Sequence, residues 1–307
     1  MKSKYSIIAL SFFLFLAVIG AGSLFAGPID PKTVPEKADW YIHVNLDQLA
    51  QGKIGDWMAE ISDIMVFETG EEGPMKHFTD GDNKISGGVT VYGTGKDPES
   101  SVIRATGLTD RDELVTEIKG SKDYETSKDG EHTIHSWVED ADHPHHEEMS
   151  VRIYGVFLDD STMMASQSKE TLSGALDFLD NDEKGILAPA NAGAAFVARA
   201  DLEAMSKGAD SEVFRSAKSV ATSMDVAADG SMTGSLQLEA ANAESAEKMT
   251  QMINGMVSFG SGYAQDGQWN PGENVKTNRN GNTVVIDLTM PISYMEKMKK
   301  MSPFGGE

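Results

Sequence analysis

The chain has 307 residues, no cysteine, and 48 acidic against 26 basic side chains, giving a formal net charge of -22. Such a polyanion repels phosphate backbones and anionic lipid, which argues against nucleic acid and membrane surfaces as partners. The missing cysteine excludes a disulfide framework, a thiol nucleophile and a lipid-modified N-terminal cysteine, so stability must come from packing alone.

Residues 1–26 read as a secretory signal peptide. Lys2 and Lys4 precede the apolar run Ile7 to Ile19, and Ala21-Gly22-Ser23 or Leu24-Phe25-Ala26 supplies a small-residue exit. The alternative is an uncleaved N-terminal anchor, since the run extended to Phe25 is just long enough to span a bilayer. Either way the rest of the chain is expected in the periplasm or outside the cell. Pro28, Pro31 and Pro35 predict an extended, exposed linker over residues 27–37.

A first module is expected over residues 38–187. Trp40 to Leu46 reads as a buried strand, and Leu46, Leu49, Trp57, Met58, Ile61, Ile64 and Met65 recur at helical spacing. Ile85 to Tyr92 and Ser101 to Ala105 read as strands around a Gly-rich turn. Asp110 to Lys119 is an amphipathic helix with Leu114, Val115 and Ile118 inward, capped by Thr109 or Asp110 and closed by Gly120. Asp129-Gly130 predicts a hairpin with a type I′ turn. Two further strands, Met149 to Leu158 and Thr162 to Ser166, flank a turn at Asp159-Asp160, and a helix follows from Lys169 to Leu179. The boundary falls in Asn181 to Gly193, marked by Gly185, Pro189 and Gly193.

The second module, residues 188–307, repeats the order. A strand at Ala195 to Ala200 leads into a helical stretch from Asp201 to about Ser219. Paired strands follow at Ser223 to Ala227 and Thr233 to Glu239. A helix spans Ala243 to Val257 with Ala246, Met249, Ile253 and Met256 inward, and a hairpin turns at Asn280-Gly281. Three landmarks recur in sequence order. Tyr41 to Asp47 matches Ala195 to Asp201, Glu113 to Gly120 matches Lys248 to Gly255, and Thr126 to Gly130 matches Thr277 to Gly281. The expected fold is α+β: two tandem related modules, with antiparallel sheets and helices packed mainly on one face, like ferredoxin-like units with extra strands.

Five of the seven histidines cluster in and after the first hairpin: His132, His135, His143, His145 and His146, the last three in an acidic loop. Imidazole and carboxylate groups suit zinc or copper, so these five are the candidate metal ligands. A Pro-broken loop is a poor frame for a catalytic ion, and His146-Glu147-Glu148-Met149-Ser150 lacks the second histidine of a zinc-protease helix. Asp80 to Ser86 fails as a calcium loop, because its sixth, eighth and twelfth places hold Ile85, Gly87 and Val91. Met249, Met252 and Met256, like Met295, Met298 and Met301, read as adaptable core filler before copper ligands. Gly93 to Asp97 lacks the first glycine and the Ser or Thr of a phosphate loop, and there is no Gly-x-Ser-x-Gly elbow.

Lys37-Ala38-Asp39-Trp40, Val91-Tyr92-Gly93 and the Gly130 hairpin give the chain a segment order that resembles a loose group of exported bacterial proteins of unknown function with a duplicated α+β module. The resemblance implies no activity, no catalytic residue and no cofactor. The sequence therefore points to an exported, non-enzymatic protein with a binding or structural role toward an envelope or other protein partner. The alternatives are zinc or copper binding through the histidine-rich loop, and a hydrolase with its site between the two modules.

Overall fold

The computed structural model describes residues 27–46, 48, 87–95, 97–141, 149–205, 217–227, 229–264 and 269–294. The segment 1–26, the helical spacing of residues 47–65, the turn at residues 80–86 and the C-terminal residues from 295 lie outside them. The fold is α+β with antiparallel strand pairing, and the chain divides after Gly193 into two compact units.

The N-terminal unit contains β1 (Trp40–Asn45), β2 (Gly88–Gly93), β3 (Ser101–Thr106), α1 (Arg111–Gly120), β4 (Lys122–Asp129), β5 (His132–Ala141), β6 (Met149–Phe157), β7 (Thr162–Ser166) and α2 (Lys169–Asp180). Its strands run in the order β1-β2-β3-β7-β6-β5-β4. Alternation sends Met163 and Ala165 to one side of β7 and Thr162, Met164 and Ser166 to the other, yet all five are buried. Both sides of the strand are therefore covered. On the first side α1 sets Leu114 and Ile118 against Trp137, Met163 and Ala165. On the other lies α2, whose Asp180 meets His132, a residue in alternation with Ile134 on β5. The two helices thus flank opposite faces of this sheet, where the sequence suggested mainly one face. Two amphipathic stripes cannot share one narrow face when β7 presents large side chains on both.

Local signals explain where these helices start. Asp110 Oδ1 accepts from the Glu113 N–H at 2.9 Å, and Ser168 Oγ accepts from the Thr171 N–H at 3.2 Å. Each satisfies one of the donors that a helix start leaves free. Val115 is half-buried rather than inward, because Leu114 and Ile118, one turn apart, fill the α1 contact.

The C-terminal unit contains β8 (Phe196–Asp201), α3 (Leu202–Met205), β9 (Ala217–Val226), β10 (Met232–Ala240), α4 (Ala243–Tyr263), α5 (Pro271–Asn274), β11 (Val275–Asn280) and β12 (Thr283–Met290), with strand order β8-β9-β10-β12-β11. Strand β9 begins at Ala217, where the sequence extended a helix to Ser219. Ala217 pairs with Ala240 of β10 and is buried, so tertiary pairing outweighs the local helical pattern. Helix α4 packs Ala246, Met249 and Ile253 against Ala217, Leu238, Ala240 and Val284. Met249 and Val284 are essentially sealed from water, and each such side chain contributes about 1.5–3 kcal/mol of burial.

The two units share a chain path. Three strands are laid down in sequence order, a helix follows, and a meander returns so that its last strand pairs with the third: β7 with β3, and β12 with β10. The extra strands β6 and β7 lengthen the first meander from two strands to four. Adding a pair preserves the antiparallel sense and moves the Gly130 hairpin outward. Gly130 (φ 56°) and Gly281 (φ 60°) both take the first place of a two-residue turn, between Asp129 and His132 and between Asn280 and Thr283. Glu131 and Asn282 do not share the positive φ, so both turns have the II′ sense, where I′ was expected at Asp129-Gly130. The outermost strands β4 and β11 carry Lys122 and Lys128, and Lys276 and Arg279, which blunt exposed edges.

Residues 27–37 are not an exposed linker. Ile29 and Val34 are only 2% and 0% exposed. The Ile29 N–H donates to the Ala192 carbonyl, Glu36 N–H to Lys184, and Ile186 N–H to Val34. The prolines set the local path, with Pro31–Thr33 forming a single 3-10 turn capped by Asp30, but the apolar residues between them pull the segment into the unit's core.

Candidate functional site

Strand β5 separates the two described histidines of the candidate metal set. His132 and His135 differ by an odd number of residues and point to opposite faces of the sheet. His132 Nε2 lies 3.1 Å from Asp180 Oδ2 on α2. His135 Nδ1 meets the Tyr124 hydroxyl at 2.8 Å, and its ring stands edge-on to Phe157. Burial, with the Lys119 and Arg111 charges, holds the His135 imidazole below its usual range. These two rings do not converge on one ion. His143, His145 and His146 lie outside the described residues.

A second polar group lies inside β1, β2 and β3. The register aligns His43 with Thr90 and Thr90 with Arg104. His43 Nδ1 and Thr90 Oγ1 are 2.9 Å apart. Gly88 makes room for the ring, since a methyl there would stand 2.6 Å from His43 Cε1. Among the described residues the Tyr92 hydroxyl and Arg104 Nε are buried without a hydrogen-bond partner. Burial pushes the His43 imidazole down to about 4, the Gly27 carbonyl opposes that shift, and the Arg104 charge adds to it. Burial likewise raises the Tyr92 phenol and lowers the Arg104 guanidinium, and Asp30 and Asp159 restrain the latter. A hydroxyl bonded to a neutral imidazole has the composition of a nucleophile and base. Both residues, however, are only 3% exposed, which leaves no approach for a substrate. His43 and Thr90 therefore belong to the buried interior of the sheet.

The third feature is α4, and the sequence reading missed most of it. Asn242 caps the helix by accepting from the Ser245 N–H at 2.9 Å, and Glu244 pairs with Lys248 at 2.6 Å. The helix continues past Val257 to Tyr263. Met252, Met256, Phe259 and Tyr263 are 38%, 58%, 68% and 71% exposed, so Met256 points outward rather than inward. At 100° per residue this second stripe is turned by about 90° from Ala246, Met249 and Ile253. Phe259 and Tyr263 lean on each other, with ring centroids 4.8 Å apart. The three methionines read together as core filler are likewise split, with Met249 buried and Met252 and Met256 outside.

Two more details belong to this helix. From Met249 to Tyr263 it has no charged side chain, although the chain as a whole is strongly acidic. A methyl added at Gly255 or Gly262 would meet nothing within 4 Å. Glycine inside a helix costs about 0.5–1 kcal/mol relative to alanine, and at these two positions no packing among the described residues requires it. The 4-3-4 spacing of Met252, Met256, Phe259 and Tyr263 was visible in the sequence. It was obscured because Met256 also fits the periodicity of the inner stripe.

No family model matches the chain, and no curated protein matches it. Among solved structures it is similar to three crystal forms of TP0453. Form III is 10% identical over 88% of this chain and 97% of the other, with a TM-score of 0.47. Form I is 10% identical over 91% and 99%, with a TM-score of 0.45, and form IV 9% identical over 89% and 96%, with a TM-score of 0.47.

Proposed function

We propose that this is an exported, non-catalytic protein of the cell envelope or extracellular space, with a binding or structural role, and that α4 carries its contact surface. The observation behind this reading is the row Met252, Met256, Phe259 and Tyr263, left in water on a chain whose surface is otherwise rich in carboxylates. Single exposed apolar residues are ordinary, whereas a contiguous row of four large ones marks an interaction site. The polar groups best placed for chemistry among the described residues support the same reading. His132, His135 and His43 are each engaged by protein groups, and His43 and Thr90 are sealed from solvent.

Two measurements test the proposal. Fractionation of cells expressing the full chain should recover it outside the cytoplasm. A photo-crosslinking side chain at position 259 should yield a discrete adduct, and the same group at Glu125 on β4 should yield none. Adducts at neither position, or equal labelling at both, would remove α4 as the contact surface.

A further inference from the structure

We infer that the α4 stripe is occupied by a second copy of this chain, through pairing of α4 with its counterpart. This rests on the binding role proposed above and specifies its partner. The spacing is the first argument. Steps of four, three and four residues from Met252 to Tyr263 are those of the apolar seam that one helix presents to another. Such a narrow ridge fits between the side chains of a similar ridge rather than into a pocket.

Charge is the second argument. A basic partner would be met by carboxylates at the contact, yet α4 has no charged side chain from Met249 to Tyr263. That neutral stretch lets two acidic copies touch without placing like charges face to face. The glycines fit the same arrangement. Gly255 and Gly262 stand one heptad apart beside the seam, with open space where a side chain would be. A helix backbone can approach closely there.

Area sets the strength. From their exposures, the four side chains of both copies would bury on the order of 900 Å² in total. That lies at the weak end of specific interfaces, so the dimer is reversible and concentration-dependent. The charge of each copy opposes association at long range, and salt therefore strengthens it.

Sedimentation velocity of the full chain over micromolar concentrations tests the inference. A monomer–dimer equilibrium is expected, tightening several-fold between low salt and about 0.5 M salt, where screening reaches to roughly 4 Å. The double variant Met256→Glu, Phe259→Glu should weaken it at least tenfold without changing the thermal melt of the dilute protein. Asn254→Glu, on the far side of the helix from the seam, should leave it unchanged. Because the chain has no cysteine, mixed Met256→Cys and Phe259→Cys proteins should form an intermolecular disulfide on oxidation. A dimer that survives the double variant overturns the inference. So does a monomer that co-sediments with neutral phosphatidylcholine vesicles and loses that binding in the Met256→Glu, Phe259→Glu variant. A monomer whose position 259 still crosslinks to another protein overturns the second copy as occupant but leaves the binding role standing. A monomer with no adduct at position 259 overturns both.

Discussion

Acid should destabilise this protein through His43 before most of its carboxylates titrate. In the folded chain the His43 imidazole is pushed down to about 4, and in the unfolded chain it returns to 6.5. A depressed folded value means that the unfolded state binds the proton first. Stability is therefore undiminished above about pH 6.5, falls as pH drops toward 4, and levels off below that. The linkage relation gives a loss of about 2 kcal/mol between pH 7 and pH 5 and about 3 kcal/mol by pH 4. The physical cause is burial, which makes a charge in the sheet interior costly; the Gly27 carbonyl offsets part of that cost and the nearby Arg104 charge adds to it.

The assay is urea unfolding of the parent and of His43→Asn at pH 7 and pH 5. Asn retains a polar atom near Thr90 and does not titrate. It loses packing at both pH values, so only the difference of differences matters. Contributions from His135 and from carboxylates such as Asp159 are common to both proteins and cancel. The parent should lose about 2 kcal/mol more than the variant between the two pH values. Parallel losses would refute the reasoning, and so would an imidazole resonance of folded His43 that titrates near pH 6.5.

Three further outcomes are expected. Gly130→Ala should destabilise by about 1–2 kcal/mol because its φ is positive, whereas Gly174→Ala on the exposed face of α2 should stabilise by about 0.5–1 kcal/mol; neither new methyl meets an atom within 4 Å, so urea midpoints moving in opposite directions would isolate the backbone term. Ile29→Ala should cost about 2–5 kcal/mol in a thermal or urea melt, as expected of a core residue, and a change below 0.5 kcal/mol would return residues 27–37 to the status of a linker. In a calorimetric zinc titration, His132→Ala and His135→Ala should not both weaken uptake, because β5 points the two rings to opposite faces.

The legible parts of this fold were those where a local signal and the tertiary outcome agree. The cap was read as Thr109 or Asp110, of which Asp110 accepts the Glu113 N–H, and the two glycine hairpins were found from two residues each. Thr126 to Gly130 and Thr277 to Gly281 keep their spacing because each ends in a two-residue hairpin turn. Errors arose where long-range contacts decide. Nothing local to Pro28-Ile29-Asp30-Pro31 reveals that residues 184–192 will bond to it. Ala217 to Ser219 fits a helix until β10 supplies its partner groups. Gly281 at a turn also fits I′ or II′ equally well, and the strand register selects between them.

Helix α4 shows how one sequence can carry two superimposed patterns. Ala246, Met249 and Ile253 satisfy the unit's own sheet, and Met252, Met256, Phe259 and Tyr263 belong to a neighbouring stripe that this unit does not cover. Folding alone does not require the second stripe. Its four side chains could be polar without disturbing the packed contact, and alanine in place of Gly255 or Gly262 would make a better helix. The same path in the N-terminal unit gives a contrast. Helix α1 lies at the equivalent point, is half as long, and ends at Gly120 after burying Leu114 and Ile118. Beyond Ile253 only Val257 still packs on the core and Gly260 and Ser261 lie against α5, while Met256, Phe259 and Tyr263 face outward on an uncharged stretch that adds to the shared plan. An element that exceeds what its own core uses, and costs helix stability to keep, is the place where selection for an external contact is most economically read.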